Sequence, residues 1–142
     1  MLLPICLNLY QCPSTPYSNI MAIQLKNPTG TISIFNIYND CNHSHNEQHL
    51  HQFITNNRHK VLASPSHQMM WAGNFNRHHP YWDDHNDIHL FTQQAIDQAN
   101  TLIELITNYN LDMALPKGTL MLCHMVTKRY SRPDNVFVTN GL

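Results

Sequence analysis

Residues 70–82 have the sequence MWAGNFNRHHPYW, which is the strongest indication of the fold in this chain. The apolar part, Met69–Phe75, predicts a short buried strand. Gly73-Asn74-Phe75-Asn76 ends that strand, and a polar loop follows over residues 78–86. In α/β proteins the functional site usually forms just beyond the carboxyl ends of such strands. The stretch therefore predicts both a core strand and a candidate site at its end.

A β-hairpin is predicted on the amino-terminal side of this stretch. Ile20–Leu25 and Thr31–Tyr38 have the composition of strands, and Asn27–Gly30 between them has that of a turn. Gly30 is expected to provide the left-handed residue of the turn. Both faces of the second strand are apolar, which predicts that both are covered. The apolar residues concerned are Ile32, Ile34, Phe35 and Ile37.

The rest of the chain predicts helices that alternate with strands. A short helix is expected over His45–Asn57, with Leu50, Phe53 and Ile54 on one face. A long amphipathic helix is expected over Asp87–Tyr109, capped by Asn86 or Asp87 and ended by Asn108 or Asn110. Short strands are predicted at Leu111–Leu115 and Asn135–Thr139, with a turn at residues 116–118. Residues 1–19 are expected to form an irregular or truncated lead-in. This alternation predicts an α/β (α+β) fold.

Composition limits the partners. The chain has 142 residues, of which 42% are hydrophobic and 12% charged, and its net charge is −1 with neutral histidines. It is long enough for a domain with a core, and it carries no overall basic field that would attract nucleic acid. No apolar run approaches the length of a membrane span, so no membrane partner is expected.

The cysteines favour an intracellular protein and do not distinguish the nucleus from the cytoplasm. Four cysteines are scattered without a paired spacing, which is typical of reduced thiols. Eleven histidines raise the alternative of a zinc site, for which Cys41, His43 and His45 alternate. Zinc would need a second pair of ligands at a recognisable distance, so solvent-facing histidines are the favoured interpretation.

Polar motifs follow or precede three predicted strands, at Asn36–Cys41, Gly73–His79 and Arg129–Asp134. Their order and spacing resemble those of the endonuclease/exonuclease/phosphatase superfamily, and most closely those of the endonuclease domain of non-LTR retrotransposons. The resemblance covers about residues 18–139. It implies a deoxyribonuclease-like fold, a sandwich of two sheets flanked by helices, of which residues 20–142 would be a part truncated at both ends.

The resemblance also implies an activity and its residues. The family hydrolyses phosphodiesters with a divalent metal, Mg²⁺, and nicks DNA beside a reverse transcriptase domain in the intact element. Tyr38 matches the tyrosine that contacts the scissile phosphate, Asn76 the asparagine that orients the phosphate or water, and Asp134 an acid that positions the catalytic histidine or metal. His78 and His79 match residues near the DNA backbone. Arg132 is a further candidate phosphate contact, since a guanidinium binds phosphate bidentately.

The departures from the family predict that activity is lost or strongly impaired. Asn74 stands where the family has the aspartate that activates the nucleophile, and an amide cannot take a proton. No segment of residues 1–19 resembles the metal-binding glutamate motif, and the motif of the catalytic histidine would lie beyond Leu142. Loss of one positioned acid–base group typically costs ~10²–10⁴-fold in rate. No metal ligand is therefore assigned in this chain.

Each candidate also has a purely structural interpretation. Tyr38 can pack on the sheet, Asn76 can form an Asx turn and Asp134 can cap a turn. The acidic residues Asp83, Asp84 and Asp87 can bind a hard cation, but a solvated loop before a helix is favoured.

Three functions remain open at this point: an endonuclease with lost or residual activity, a nucleic-acid-binding remnant that does not cut, and a relic without function.

Overall fold

The computed structural model describes residues 6–11 and 19–142, and these form an α/β fold. In chain order the elements are β1 (Cys6–Gln11), β2 (Ile20–Asn27), β3 (Gly30–Tyr38), α1 (His45–Asn56), α2 (Arg58–Val61), β4 (His67–Asn74), a 3₁₀ segment (His85–Leu90), α3 (Gln93–Asn108), β5 (Leu111–Met113), β6 (Leu122–Cys123), β7 (Tyr130–Ser131) and β8 (Asp134–Thr139).

The described strands form a six-stranded mixed sheet and a separate two-stranded hairpin. The order in the large sheet is β1-β2-β3-β4-β8-β5. β3 and β4 are parallel, and α1 and α2 form the crossover that a parallel pair requires. β8 runs antiparallel between β4 and β5. The strands predicted from the sequence are therefore confirmed, with bounds that differ by no more than two residues.

The hydrophobic core lies between one face of the large sheet and the helices. Phe35, Trp71 and Phe137 on neighbouring strands are fully buried. Phe35 packs edge-on against Phe53 of α1 at 6.0 Å between ring centroids, and Trp71 packs against Tyr109 at 5.6 Å. α1 and α3 complete this core with Leu50, Phe53, Ile54, Ala99, Leu102, Leu105 and Ile106. Such burial is the main source of stability in a domain of this size.

The opposite face of the sheet, called here the open face, is only half-buried. Its apolar side chains on β2, β3, β4 and β8 are Ile23, Leu25, Ile32, Ile34, Met70, Ala72, Val136 and Val138. In β3 burial alternates between the two faces, with Phe35 and Ile37 inside. The prediction that both faces of β3 are covered is therefore wrong. The helices of the described residues pack only on the face that carries Phe35 and Ile37.

The long helix begins later than predicted. Residues 85–90 form the 3₁₀ segment, which Asp84 caps by accepting the N–H of Asn86. α3 starts only at Gln93, where the hydroxyl of Thr92 accepts the N–H of Ala95. The predicted caps Asn86 and Asp87 are thus wrong, and Ile88, expected on the buried stripe, is 74% exposed. At the other end Asn110 adopts a left-handed φ of 51°, in keeping with its predicted role.

Two features of the amino-terminal part also differ from expectation. Cys6–Gln11 pairs with β2 in antiparallel register, so the predicted irregular lead-in is wrong there, and its remaining residues 1–5 and 12–18 lie outside the described part. The β2–β3 turn forms as predicted, with the side-chain oxygen of Asn27 accepting the N–H groups of Thr29 and Gly30. Gly30 is not left-handed; a Cβ there would lie 3.1 Å from the carbonyl oxygen of Ser66.

The hairpin β6–β7 was not predicted, and its tip is strongly exposed. Met125 and Val126 at this tip are 81% and 84% exposed. The turn before the hairpin, at residues 116–118, is confirmed, with Gly118 at a φ of 74°. Among the described residues, none of the helices combines the length and hydropathy needed to cross a membrane.

Candidate functional site

The three polar motifs meet at one end of the large sheet. β3 and β4 are parallel, so their carboxyl ends lie side by side, and β8 begins there because it runs antiparallel to β4. Asn74 is paired with Tyr38 on one side and with Asp134 on the other. Directly paired residues point to the same face of a sheet. The structure thus brings together three residues that are distant in sequence.

These three residues form the polar end of the open face. Tyr38 is 52% exposed and Asp134 is also exposed, so both side chains are accessible to a ligand. Asn74 lies between them and is half-buried, and its side-chain oxygen is buried without a hydrogen-bond partner. The group offers a phenol, an amide and one carboxylate.

Asn76 lies two residues beyond β4 and is held firmly by the fold. It has a left-handed φ of 47°, a conformation that asparagine tolerates better than most residues. Its side-chain nitrogen donates to the carbonyl oxygen of Asn39 at 2.6 Å. Its backbone N–H donates to the carbonyl oxygen of Pro133 at 3.1 Å. Asn76 therefore joins the β3, β4 and β8 motifs into one unit.

A buried ion pair that the sequence analysis missed lies below this unit. Arg77 NH2 and Glu47 Oε1 are 2.8 Å apart, and the two side chains are 0% and 2% exposed. Burial raises the pKa of Glu47, and the charge of Arg77 opposes that shift. The only sequence signal was an acid in the first turn of a predicted helix, which is a common and unspecific feature.

The two motif histidines face a buried carboxylate. Asp83 is 1% exposed, and its Oδ2 accepts the backbone N–H of His79 at 2.9 Å and lies 3.4 Å from Nδ1 of His78. The prediction that Asp83 belongs to a solvated loop is therefore wrong. Trp82 beside it is fully buried, as predicted for a packing role. His78 and His79 thus also order the loop after β4.

His79 makes the stability of this loop sensitive to pH. Burial lowers the pKa of His79, while the charge of Asp83 acts in the opposite direction. Its Nδ1 accepts the N–H of Tyr81 at 3.0 Å, a contact that protonation there would remove. A histidine with a lowered folded-state pKa stabilises the fold above its usual value near 6.5, and this contribution is lost as the pH falls.

We therefore expect the free energy of unfolding to fall between about pH 7 and pH 5, and His79→Gln to flatten this dependence. Urea titrations at several pH values measure the free energy of unfolding of each variant. His85→Gln is the matched control, since His85 is 85% exposed. An equal flattening by both substitutions would contradict the assignment to His79.

Arg132 is not at the surface, contrary to its predicted phosphate contact. It is 2% exposed. Its guanidinium donates to the carbonyl oxygens of Trp82, Pro116 and Leu115 and to the side-chain oxygen of Asn135. These bonds join the loop after β4 to the entry of β8. We therefore do not include Arg132 among the residues that contact phosphate.

A polar cleft of about 270 Å³ adjoins Asn76 and His78. Its other walls come from the loop after β3 and the first two turns of α3, including Asn42 and Gln98. Asn76 lines this cleft, whereas Tyr38, Asn74 and Asp134 are not among its lining residues.

The residues of this site do not fit a resident magnesium ion. Mg²⁺ in proteins is usually held by one or two carboxylates together with waters and substrate phosphates. Within the described residues there is no group of three or more His, Cys, Asp or Glu side chains that could hold a metal. At the strand ends Asp134 is a single acid beside the two amides Asn74 and Asn76. No step below is therefore routed through a metal.

Several solved structures have a fold similar to that of this chain. The endonuclease domain of TRAS1, a telomere-specific non-LTR retrotransposon, has a TM-score of 0.64 at 17% identity and is matched over 96% of this chain and 56% of its own. TDP2 of D. rerio, solved with a single-strand DNA product, has a TM-score of 0.52 at 8% sequence identity. The match covers 96% of this chain and 53% of TDP2. An endonuclease/exonuclease/phosphatase family protein from Leptotrichia buccalis has a TM-score of 0.52 at 10% sequence identity. The match covers 96% of this chain and 50% of that protein.

This likeness confirms the deoxyribonuclease-like fold predicted from the strand-end motifs. The chain spans about half the length of the solved structures that it matches. No protein-family model matches the sequence, and neither does any curated protein.

Proposed function

We propose that this chain is part of a retrotransposon-type endonuclease domain that contacts nucleic-acid phosphates and hydrolyses them weakly or not at all. The observation that carries the proposal is the row Tyr38, Asn74 and Asp134 across three neighbouring strands. The likeness of the chain's fold to that of the TRAS1 endonuclease domain and the exposure of Tyr38 and Asp134 at the strand ends support the proposal. DNA is the expected partner, with a reverse transcriptase domain in an intact element.

The chemistry of the row favours binding over cleavage. The Tyr38 hydroxyl can donate a hydrogen bond to a phosphate oxygen, and the half-buried amide of Asn74 can donate another. An amide cannot remove a proton from an attacking water, so the middle of the row lacks a general base. Asp134 can accept a proton, but without a metal-binding group beside it the developing charge is not neutralised.

Purified protein incubated with supercoiled plasmid tests this proposal. We expect nicking with Mg²⁺ to stay at the level of an EDTA control. Asn74→Asp should not change this, because one restored carboxylate supplies neither the glutamate nor the histidine that the family uses. Strong Mg²⁺-dependent nicking by the wild-type chain, or a rise of ~10²-fold in Asn74→Asp, would contradict the proposed impairment.

Binding without any cutting is the stricter form of this proposal, and Asn74 is the observation that favours it. Fluorescence anisotropy with a labelled oligonucleotide measures it. Affinity should fall as salt rises, since phosphate contacts release counterions. The slope should be shallow, because the net charge of −1 leaves only local contacts. A cooperatively folded chain that neither binds nor nicks would favour the relic.

A further inference from the structure

We propose that Glu47 and Arg77 are positioning residues, and that this buried ion pair holds Asn76 and Tyr38 in the geometry needed for phosphate contact. The inference rests on the proposed function. Neither residue touches the ligand itself, since both side chains lie below the surface.

Arg77 ties three backbone carbonyl groups from two loops to one planar group. Its NH1 donates to the carbonyl oxygens of Asp40 at 3.0 Å and of Asn76 at 3.2 Å. Its NH2 donates to the carbonyl oxygen of His43 at 2.7 Å. The loop after β3 and the loop after β4 are therefore both fixed relative to the same guanidinium, whose five N–H groups lie in a rigid plane.

Glu47 completes the link from α1 to the site. Its Oε1 accepts from Arg77 Nε and from Asn39 Nδ2, each at 2.8 Å. The backbone oxygen of Asn39 in turn accepts the side-chain amide of Asn76. One residue earlier in α1, Asn46 donates from its side chain to the carbonyl oxygen of Tyr38 at 2.6 Å. The first turn of α1 thus sets both predicted phosphate contacts.

A gain in stability alone does not account for the buried ion pair of Glu47 and Arg77. The cost of removing two charges from water often cancels their attraction, and apolar replacement of a buried pair is often neutral or stabilising. Glu47 Oε2 is moreover buried without a partner, so the pair is incompletely satisfied. What an apolar pair cannot supply is the set of directed bonds to Asp40, His43 and Asn39.

The test separates this positioning role from a merely structural one. Glu47→Gln, Arg77→Met and the double variant Glu47→Leu/Arg77→Met are compared with wild type in urea stability and in affinity for a labelled oligonucleotide. We expect each single change to lower both, because it leaves an unpaired buried group. In the double variant stability should return towards wild type while affinity stays at least about tenfold weaker, which corresponds to 1.4 kcal/mol.

Salt dependence distinguishes positioning from direct contact. If Arg77 only positions other residues, the variants should bind more weakly with an unchanged slope of log affinity against log salt. A slope reduced by about one would show that Arg77 itself contacts a phosphate and would overturn the proposal. Arg58→Met, which removes an exposed arginine of α2, is the matched control and should change stability little.

Two results would overturn the inference in different ways. If affinity recovers together with stability in the double variant, the pair is only structural. If wild type itself does not bind the oligonucleotide, the proposed function fails and the inference falls with it. If the double variant does not fold, the Glu47→Gln variant tests the inference instead. The measured quantity is then the chemical shift of the Asn76 side-chain amide resonance in NMR spectra. That resonance should shift, and an unshifted resonance with unchanged affinity would refute the link.

Discussion

Gly73→Ala is expected to abolish cooperative folding or to lower the free energy of unfolding by about 4 kcal/mol or more, a loss that few single substitutions reach. Gly73 has a φ of 137°, where residues with a side chain are strained. A Cβ at this position would lie 2.1 Å from the carbonyl oxygen of Ile37 on the neighbouring strand. The added Cβ is fixed to the backbone of β4, and the Ile37 oxygen belongs to the paired backbone of β3. The two strands would therefore have to separate at the candidate site.

Urea denaturation followed by circular dichroism measures this effect. Gly141→Ala is the matched control, because Gly141 also has a positive φ, 93°, but nothing within 4 Å of the added Cβ. It should cost only about 1–2 kcal/mol, the usual penalty of a left-handed residue. Equal losses in the two variants would show that backbone conformation, and not the contact with Ile37, makes Gly73 necessary.

Arg132→Met should have the second largest effect, a loss of about 3 kcal/mol or more. The change removes the guanidinium donor from the carbonyl oxygen of Leu115 and from the buried side-chain oxygen of Asn135, and each unsatisfied buried group costs roughly 1–3 kcal/mol. The carbonyl oxygens of Trp82 and Pro116 lose one donor each but keep Gly118 and Thr119. The loop after β4 and the entry of β8 would then lose their common anchor, so weaker oligonucleotide binding should accompany the loss of stability.

Arg129→Met is the control for this substitution, since Arg129 is exposed and only three residues away. It should change the free energy of unfolding by no more than about 0.5 kcal/mol. A stable Arg132→Met variant with selectively weaker, less salt-dependent binding would instead support the phosphate contact first predicted for Arg132.

Local patterns predicted the strands well because their signal is contained in a few residues. The β-branched and aromatic residues of Thr31–Tyr38 and the apolar run before Gly73 indicate strands without any knowledge of partners. The start of α3 was predicted wrongly, because Asn86, Asp87 and Thr92 can all cap a helix and only tertiary packing selects Thr92. The hairpin β6–β7 gave no clear signal, since its strands have only two residues each.

The candidate site was predictable in part. The order of the three motifs placed Tyr38, Asn74 and Asp134 at one end of the sheet, as the register confirms. Burial of charged groups was not predictable, because it depends on partners far away in sequence. Arg77 meets Glu47 across 30 residues and Arg132 meets Trp82 across 50, so neither sequence neighbourhood reveals whether the charge is solvated.

The open face has a consequence for the evolutionary freedom of this chain. Because the helices of the described residues cover only the face of Phe35, Trp71 and Phe137, replacing these residues leaves cavities in a closed core. Ile34 and Val138, half-buried on the other face, can exchange with polar residues at a smaller cost within this chain. When the 142-residue chain is studied by itself, tolerance to mutation should therefore alternate along each central strand with a period of two.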